Sequence, residues 1–122
     1  MLTYTDADAI LRASRKGEKR IRNNTTLFRL DDETIGVRLH HTTVVSIHKD
    51  GTFTLRSGGW RSATTKERIN RYGPAYVSQR NFEWYVGGFM FFDGIKVDGA
   101  GRVLNADPAL AVPDRKRRRL SV

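Results

Sequence analysis

From Asn24 to Arg56 the chain alternates apolar and polar residues with a period of two. Thr26, Phe28 and Leu30 interleave with Leu27 and Arg29, and Ile35, Val37 and Leu39 interleave with Gly36, Arg38 and His40. Successive side chains of an extended chain point to opposite faces, so this pattern predicts strands. The cluster Asp31-Asp32-Glu33-Thr34 reads as the turn between them. After a break near His41-Thr42, the run Val44-Val45-Ser46-Ile47 leads through Lys49-Asp50-Gly51, a strong hairpin signal, into Thr52-Phe53-Thr54-Leu55-Arg56. A four-strand antiparallel meander is expected.

Two segments change period. Thr5 or Asp6 suits the cap of an N-terminal helix, with Asp6 and Asp8 at its positive dipole end and Arg15 and Lys16 near its negative end before Gly17. Its apolar positions, Ala7, Ile10, Leu11 and Ala13, make one narrow stripe, enough to lie on a sheet or on another subunit. A second, short helix is expected to begin near Thr65, where Thr64 and Glu67 match a capping box, and to end at Gly73-Pro74. At 100° per residue its Thr65, Arg68, Ile69 and Tyr72 share one side. Strands return in Tyr76-Val77-Ser78-Gln79, Phe82-Glu83-Trp84-Tyr85-Val86 and Phe89-Met90-Phe91-Phe92, with turns at Arg80-Asn81 and Gly87-Gly88. Ile95-Lys96-Val97 continues the pairing, and Arg102-Val103-Leu104 is a weaker candidate. Trp84, Tyr85, Phe91 and Phe92 sit in these strands and are expected in the core. The fold class is therefore α+β and β-rich: an antiparallel meander or a small, partly open barrel, with an N-terminal helix and one short central helix.

Length and charge narrow the picture. A chain of 122 residues suffices for one hydrophobic core. We read residues 1–112 as a single globular domain, made of a basic helical segment over 1–22 and a β-rich core over 24–104, followed by a basic tail over 113–122. No apolar run is long enough for a spanning helix, and there is no cysteine for a disulfide or thiolate site. Met1 is followed by a polar, acidic segment with no apolar stretch of the kind that leads a secreted chain, so no membrane partner and a cytoplasmic setting are expected. The 22 Lys and Arg against 13 Asp and Glu give a net charge of +9, which favours a polyanionic partner. Arg115, Lys116, Arg117, Arg118 and Arg119 form one uninterrupted run; setting them and Asp114 aside still leaves 17 basic against 12 acidic residues. A second cluster, Arg12, Arg15, Lys16, Lys19, Arg20 and Arg22, is diluted only by Glu18.

Candidate chemistry is sparse. Of three histidines, adjacent His40 and His41 are expected on opposite faces of a strand, so at most one can join His48. Two ligands fall short of a catalytic zinc shell, and no metal or other cofactor is expected. Ser46 near His48 lacks an oriented relay, and neither Ser57-Gly58-Gly59 nor Gly99 with Gly101 completes a phosphate-cradling motif. Nothing here argues for an enzyme. The richer constellation is Trp60 and Arg61 on a glycine-hinged link, with Arg56 upstream and Lys66, Arg68 and Arg71 on the following helix. Guanidinium groups grip phosphates through paired hydrogen bonds and an exposed indole stacks on a base. These six residues and the five tail cations form the candidate phosphate-binding set.

The stretch from Asn24 to Tyr72 resembles a group of small, mostly uncharacterised bacteriophage accessory proteins. The resemblance is carried by Asn23-Asn24-Thr25-Thr26, Val37-Arg38-Leu39-His40-His41-Thr42, Lys49-Asp50-Gly51, Ser57-Gly58-Gly59-Trp60-Arg61 and Thr64-Thr65-Lys66-Glu67-Arg68-Ile69-Asn70-Arg71-Tyr72. Trp84-Tyr85 and Phe92-Asp93-Gly94 belong to the same pattern. It implies a phage origin and a bacterial host cell, and it transfers no catalytic residue. Three functions are open on this reading. One is a non-enzymatic accessory protein that binds nucleic acid through a basic, aromatic-containing surface. Another is an anti-defence sponge or inhibitor that sequesters a phosphorylated nucleotide. The third is a protein-interaction or virion-associated module whose basic segments dock on an acidic host protein or in a virion; separately, the first helix offers an element for a homo-oligomer.

Overall fold

The period-two stretch becomes a run of hairpins. In the computed structural model, which describes residues 1–112, helix α1 (Tyr4–Arg12) is followed by strands β1 (Glu18–Arg22), β2 (Thr25–Asp31), β3 (Thr34–Leu39), β4 (Thr42–His48) and β5 (Phe53–Leu55). Helix α2 (Ala63–Tyr72) precedes β6 (Ser78–Arg80), β7 (Glu83–Val86), β8 (Phe89–Met90) and β9 (Ile95–Val97), and a 3-10 turn covers Pro108–Leu110. Two antiparallel sheets result, ordered β1-β2-β3-β4-β5-β9 and β6-β7-β8. The larger one stays open rather than closing into a barrel. The four-strand meander is therefore real, and it is lengthened by one strand on each side.

Register sorts the faces. Leu27 pairs with Val37, Val37 with Val45, Ile35 with Ile47, and Phe53 with Val97, so these apolar side chains line one face. Both helices pack there: α1 buries Ala7 and Leu11, and α2 buries Thr65, Arg68 and Ile69. The opposite face is polar, with one aromatic feature. Phe28 lies across Gly36, where an added Cβ would stand 2.6 Å from the ring, and the Arg38 guanidinium covers that ring at 4.8 Å. Trp84 is fully buried and meets Phe91 edge-on, their centroids 5.4 Å apart, while Tyr85 and Phe92 are only partly buried.

Several expectations need correction. Thr3, not Thr5 or Asp6, caps α1 by accepting the Asp6 amide at 3.1 Å, and the helix stops at Arg12. Gly17, at φ +68°, redirects the chain, so the segment expected to be helical through residue 22 ends in strand β1. Ser62, not Thr64, caps α2, accepting the Thr65 amide at 3.2 Å, and Glu67 turns to Arg68 and Arg71 instead of back to the cap. His40 and His41 do not stand on a strand: they are the two-residue loop between β3 and β4, with His40 at φ +54°. Strand β9 pairs with β5 of the larger sheet and not with the aromatic strands before it.

Candidate nucleic-acid interface

The link from Ser57 to Arg61 is fixed by a single carboxylate. Asp93 Oδ1 accepts the Ser57 amide and the Ser57 hydroxyl, each at 2.7 Å, and its Oδ2 accepts the Gly58 amide at 2.7 Å. Burial pushes this carboxyl up, but the bonds from Ser57 and Gly58 and the Arg61 charge outweigh it and leave Asp93 below its ordinary range. Gly58 sits at φ +65° against Thr42, whose methyl would lie 2.6 Å from a Cβ at that position. The Trp60 amide then closes a turn onto the Ser57 carbonyl at 3.1 Å. The indole of Trp60 is left 72% exposed on a loop with little freedom.

The cations expected beside it are largely engaged elsewhere. The Arg61 guanidinium lies 5.7 Å from the Trp84 ring and 5.5 Å from that of Phe91, donates to the Phe91 carbonyl at 3.3 Å and stands 3.7 Å from Glu83. Lys66 donates to Gln79 at 3.0 Å, and Arg71 to Glu67 at 2.6 Å. Arg68 is buried, donating to Thr25 Oγ1 at 2.8 Å and to the Asn23 carbonyl at 3.3 Å, and it pairs with Glu67. It locks α2 to the β1–β2 turn and belongs to the core, so it leaves the phosphate-binding set. Of the six body residues expected there, exposed Arg56 and Trp60 alone have no side-chain partner among the described residues. Arg115, Lys116, Arg117, Arg118 and Arg119 lie outside the described residues.

Free positive charge concentrates instead at the sheet edge. Arg15, Lys16, Lys19, Arg20 and Arg22 are exposed, and none makes a side-chain hydrogen bond or ion pair among the described residues. Arg12 is held by Asp8 at 2.9 Å, and Glu18, the acid within the cluster, stands 3.8 Å from Arg38. The sequence displays this run plainly. Which cations stay free depends on acids and carbonyls folded against them, and that is why the α2 residues looked better placed than they are.

A cavity of about 560 Å³ opens where the His40-His41 loop, the Trp60 link and the start of α2 meet. Asn24, in the turn that ends β1, forms part of its wall, and Leu39 and Val44 supply buried apolar floor. The His40 amide donates to the Asn24 carbonyl at 2.8 Å, tying the two turns together. His48 is remote from this cavity's lining, held between Thr34 at 3.1 Å and Thr54 at 2.7 Å. Among the described residues no three His, Cys, Asp or Glu side chains gather as a metal site, and no helix is long and apolar enough to cross a membrane.

An open antiparallel sheet with both helices on one face, a basic edge strand and a loop-borne tryptophan defines the α+β class of the molecule. Residues 5–98 match the family model described as Kyanoviridae Gp96 protein, and the chain belongs to that family of phage proteins. No curated protein and no solved structure matches it. The matched span takes in β1, the Trp60 link, α2 and both sheets, which is wider than the stretch that carried the resemblance in the sequence.

Proposed function

We propose that this phage protein is a non-enzymatic accessory protein that binds nucleic acid in the bacterial host cytoplasm, with phosphates lying along β1. The observation that supports this most is the set of five unpartnered cations between Arg15 and Arg22. A basic edge strand has a purely protective use too, since Lys and Arg keep a sheet edge from pairing with another chain. The two roles differ in what salt does. Phosphates neutralised by protein cations release counterions, so affinity falls with a slope of about 0.7 to 0.9 per contact on log–log axes.

The test is fluorescence anisotropy of the full chain and of a Lys19→Ala, Arg20→Ala, Arg22→Ala variant on DNA and RNA across a salt series. Loss of three phosphate contacts lowers the slope by about 2 to 3 units. The polybasic run at residues 115–119 contributes equally to both proteins and cancels in the difference. An unchanged slope would assign β1 to edge protection alone.

A further inference from the structure

We propose that the cavity beside Trp60 receives one unstacked nucleobase of a single strand whose phosphates lie on β1; this rests on the nucleic-acid reading above and specifies its ligand. The volume of about 560 Å³ falls among those of small-molecule sites. A large aromatic at 72% exposure is useful for stacking when it is already held in place, because little freedom is then lost on binding. Trp60 meets that condition through the three Asp93 hydrogen bonds and the close seat of Gly58 on Thr42.

The walls carry unused hydrogen-bonding groups. The Asn24 amide, the Thr64 hydroxyl and the His40 and His41 imidazoles line the cavity, and among the described residues none of these side chains makes a hydrogen bond. They offer both donors and acceptors, which suits the edge of a base, above an apolar floor that suits its face. Placement joins the cavity to the cationic edge. Asn24 follows Arg22 by two residues in the tight turn that ends β1, so the two positions lie within about 7 Å, the reach of one sugar-phosphate unit. A strand tracked by Arg20 and Arg22 therefore arrives at the cavity mouth with its next base beside Trp60. Bases stacked within a duplex cannot enter, so the arrangement selects single strands.

The experiment follows tryptophan emission of the full chain titrated with a single-stranded oligonucleotide, the same sequence as a duplex, an abasic oligonucleotide of equal length, and a mononucleotide. Buried Trp84 supplies a constant background. The single strand is expected to quench emission, while the duplex and abasic strands bind more weakly and without quenching. Trp60→Ala should reduce single-strand affinity by about 5- to 140-fold, the range for one stacked base, while leaving the salt slope unchanged. Equal affinity for abasic and intact strands, or unchanged affinity in Trp60→Ala, would overturn the pocket even where the Lys19, Arg20 and Arg22 variant still loses slope. Quenching by a mononucleotide at the oligonucleotide's own concentration would overturn the strand arrangement in favour of a free nucleotide. Conversely, a Trp60 effect with no slope change in the β1 variant would remove the cationic edge and leave the pocket standing.

Discussion

Replacing Asp93 tests how firmly the Trp60 link is held. Asp93→Ala removes three charge-assisted hydrogen bonds and leaves the amide and hydroxyl of Ser57, a residue only 2% exposed, without their acceptor. Hydrogen bonds to charged groups contribute about 1.5 to 3 kcal/mol each, and partial solvent access at Asp93 and Gly58 reduces that toward 1 kcal/mol apiece, giving a loss of about 3 kcal/mol. Asp93→Asn retains one oxygen for Ser57 but presents an NH2 group to the Gly58 amide, a donor facing a donor, so about 2 kcal/mol should go. Urea unfolding with a common slope measures both. Acidity supplies an internal check: a carboxyl whose folded-state pKa is lowered stabilises the fold above its unfolded pKa and ceases to as pH falls through the folded value. The gap between wild type and Asp93→Asn should therefore be full near neutrality and close below about pH 4. A loss under about 1 kcal/mol in Asp93→Ala, or a gap that persists at low pH, would refute the claim that this carboxylate organises the link.

Three further outcomes follow from the geometry. Arg68→Ala should destabilise the fold by about 3 kcal/mol in denaturant titration, with Arg68→Lys restoring little, because the bonds to Thr25 and Asn23 need the guanidinium fork. Phe82 sits at φ +69° in the β6–β7 turn and is 91% exposed, so Phe82→Gly should stabilise the protein by about 1 kcal/mol by relieving backbone strain without losing packing, read as a raised urea midpoint. Burial, then Lys96, pushes the His48 imidazole below its ordinary value; stability should be full above about pH 6.5 and decline as pH falls through the lowered folded value, a decline that His48→Gln removes.

The meander from β2 to β5 was legible because alternation, turn residues and chain continuity all specify the same pairing. The apolar side of α2 was legible for a similar reason, since helical periodicity alone groups Thr65, Arg68 and Ile69. Strand β1 was not: Lys19-Arg20-Ile21-Arg22 reads as charge, and an edge strand exists because a neighbour's main chain pairs with it. The fates of Arg61, Lys66 and Arg68 were hidden for the same reason, as their partners Phe91, Gln79 and Thr25 come from distant chain segments. Trp60 stood out in the sequence on its glycine-hinged link, but its fixed position depends on Asp93, which lies 36 residues beyond Ser57. The cavity is a property of three loops meeting and leaves no trace in any local pattern.

The two edges of the larger sheet are finished in different ways. Along β9 the returning chain occupies the outer side: the Lys96 amide donates to Asn105 at 2.8 Å, the Lys96 carbonyl accepts from Leu104 at 2.8 Å, and Val103 bridges Val97. Along β1 the Ser14 hydroxyl takes up the Glu18 carbonyl at 2.5 Å, and beyond it no strand pairs on the outer side among the described residues, where Lys19, Arg20 and Arg22 stand exposed. Removing those charges, as Lys19→Ala, Arg20→Ala and Arg22→Ala together would, weakens the protection of one edge and leaves the other occupied. Were two copies to pair through β1, the joint would be two-fold and would close at two chains, whereas the occupied β9 edge offers the larger sheet no second such joint among the described residues.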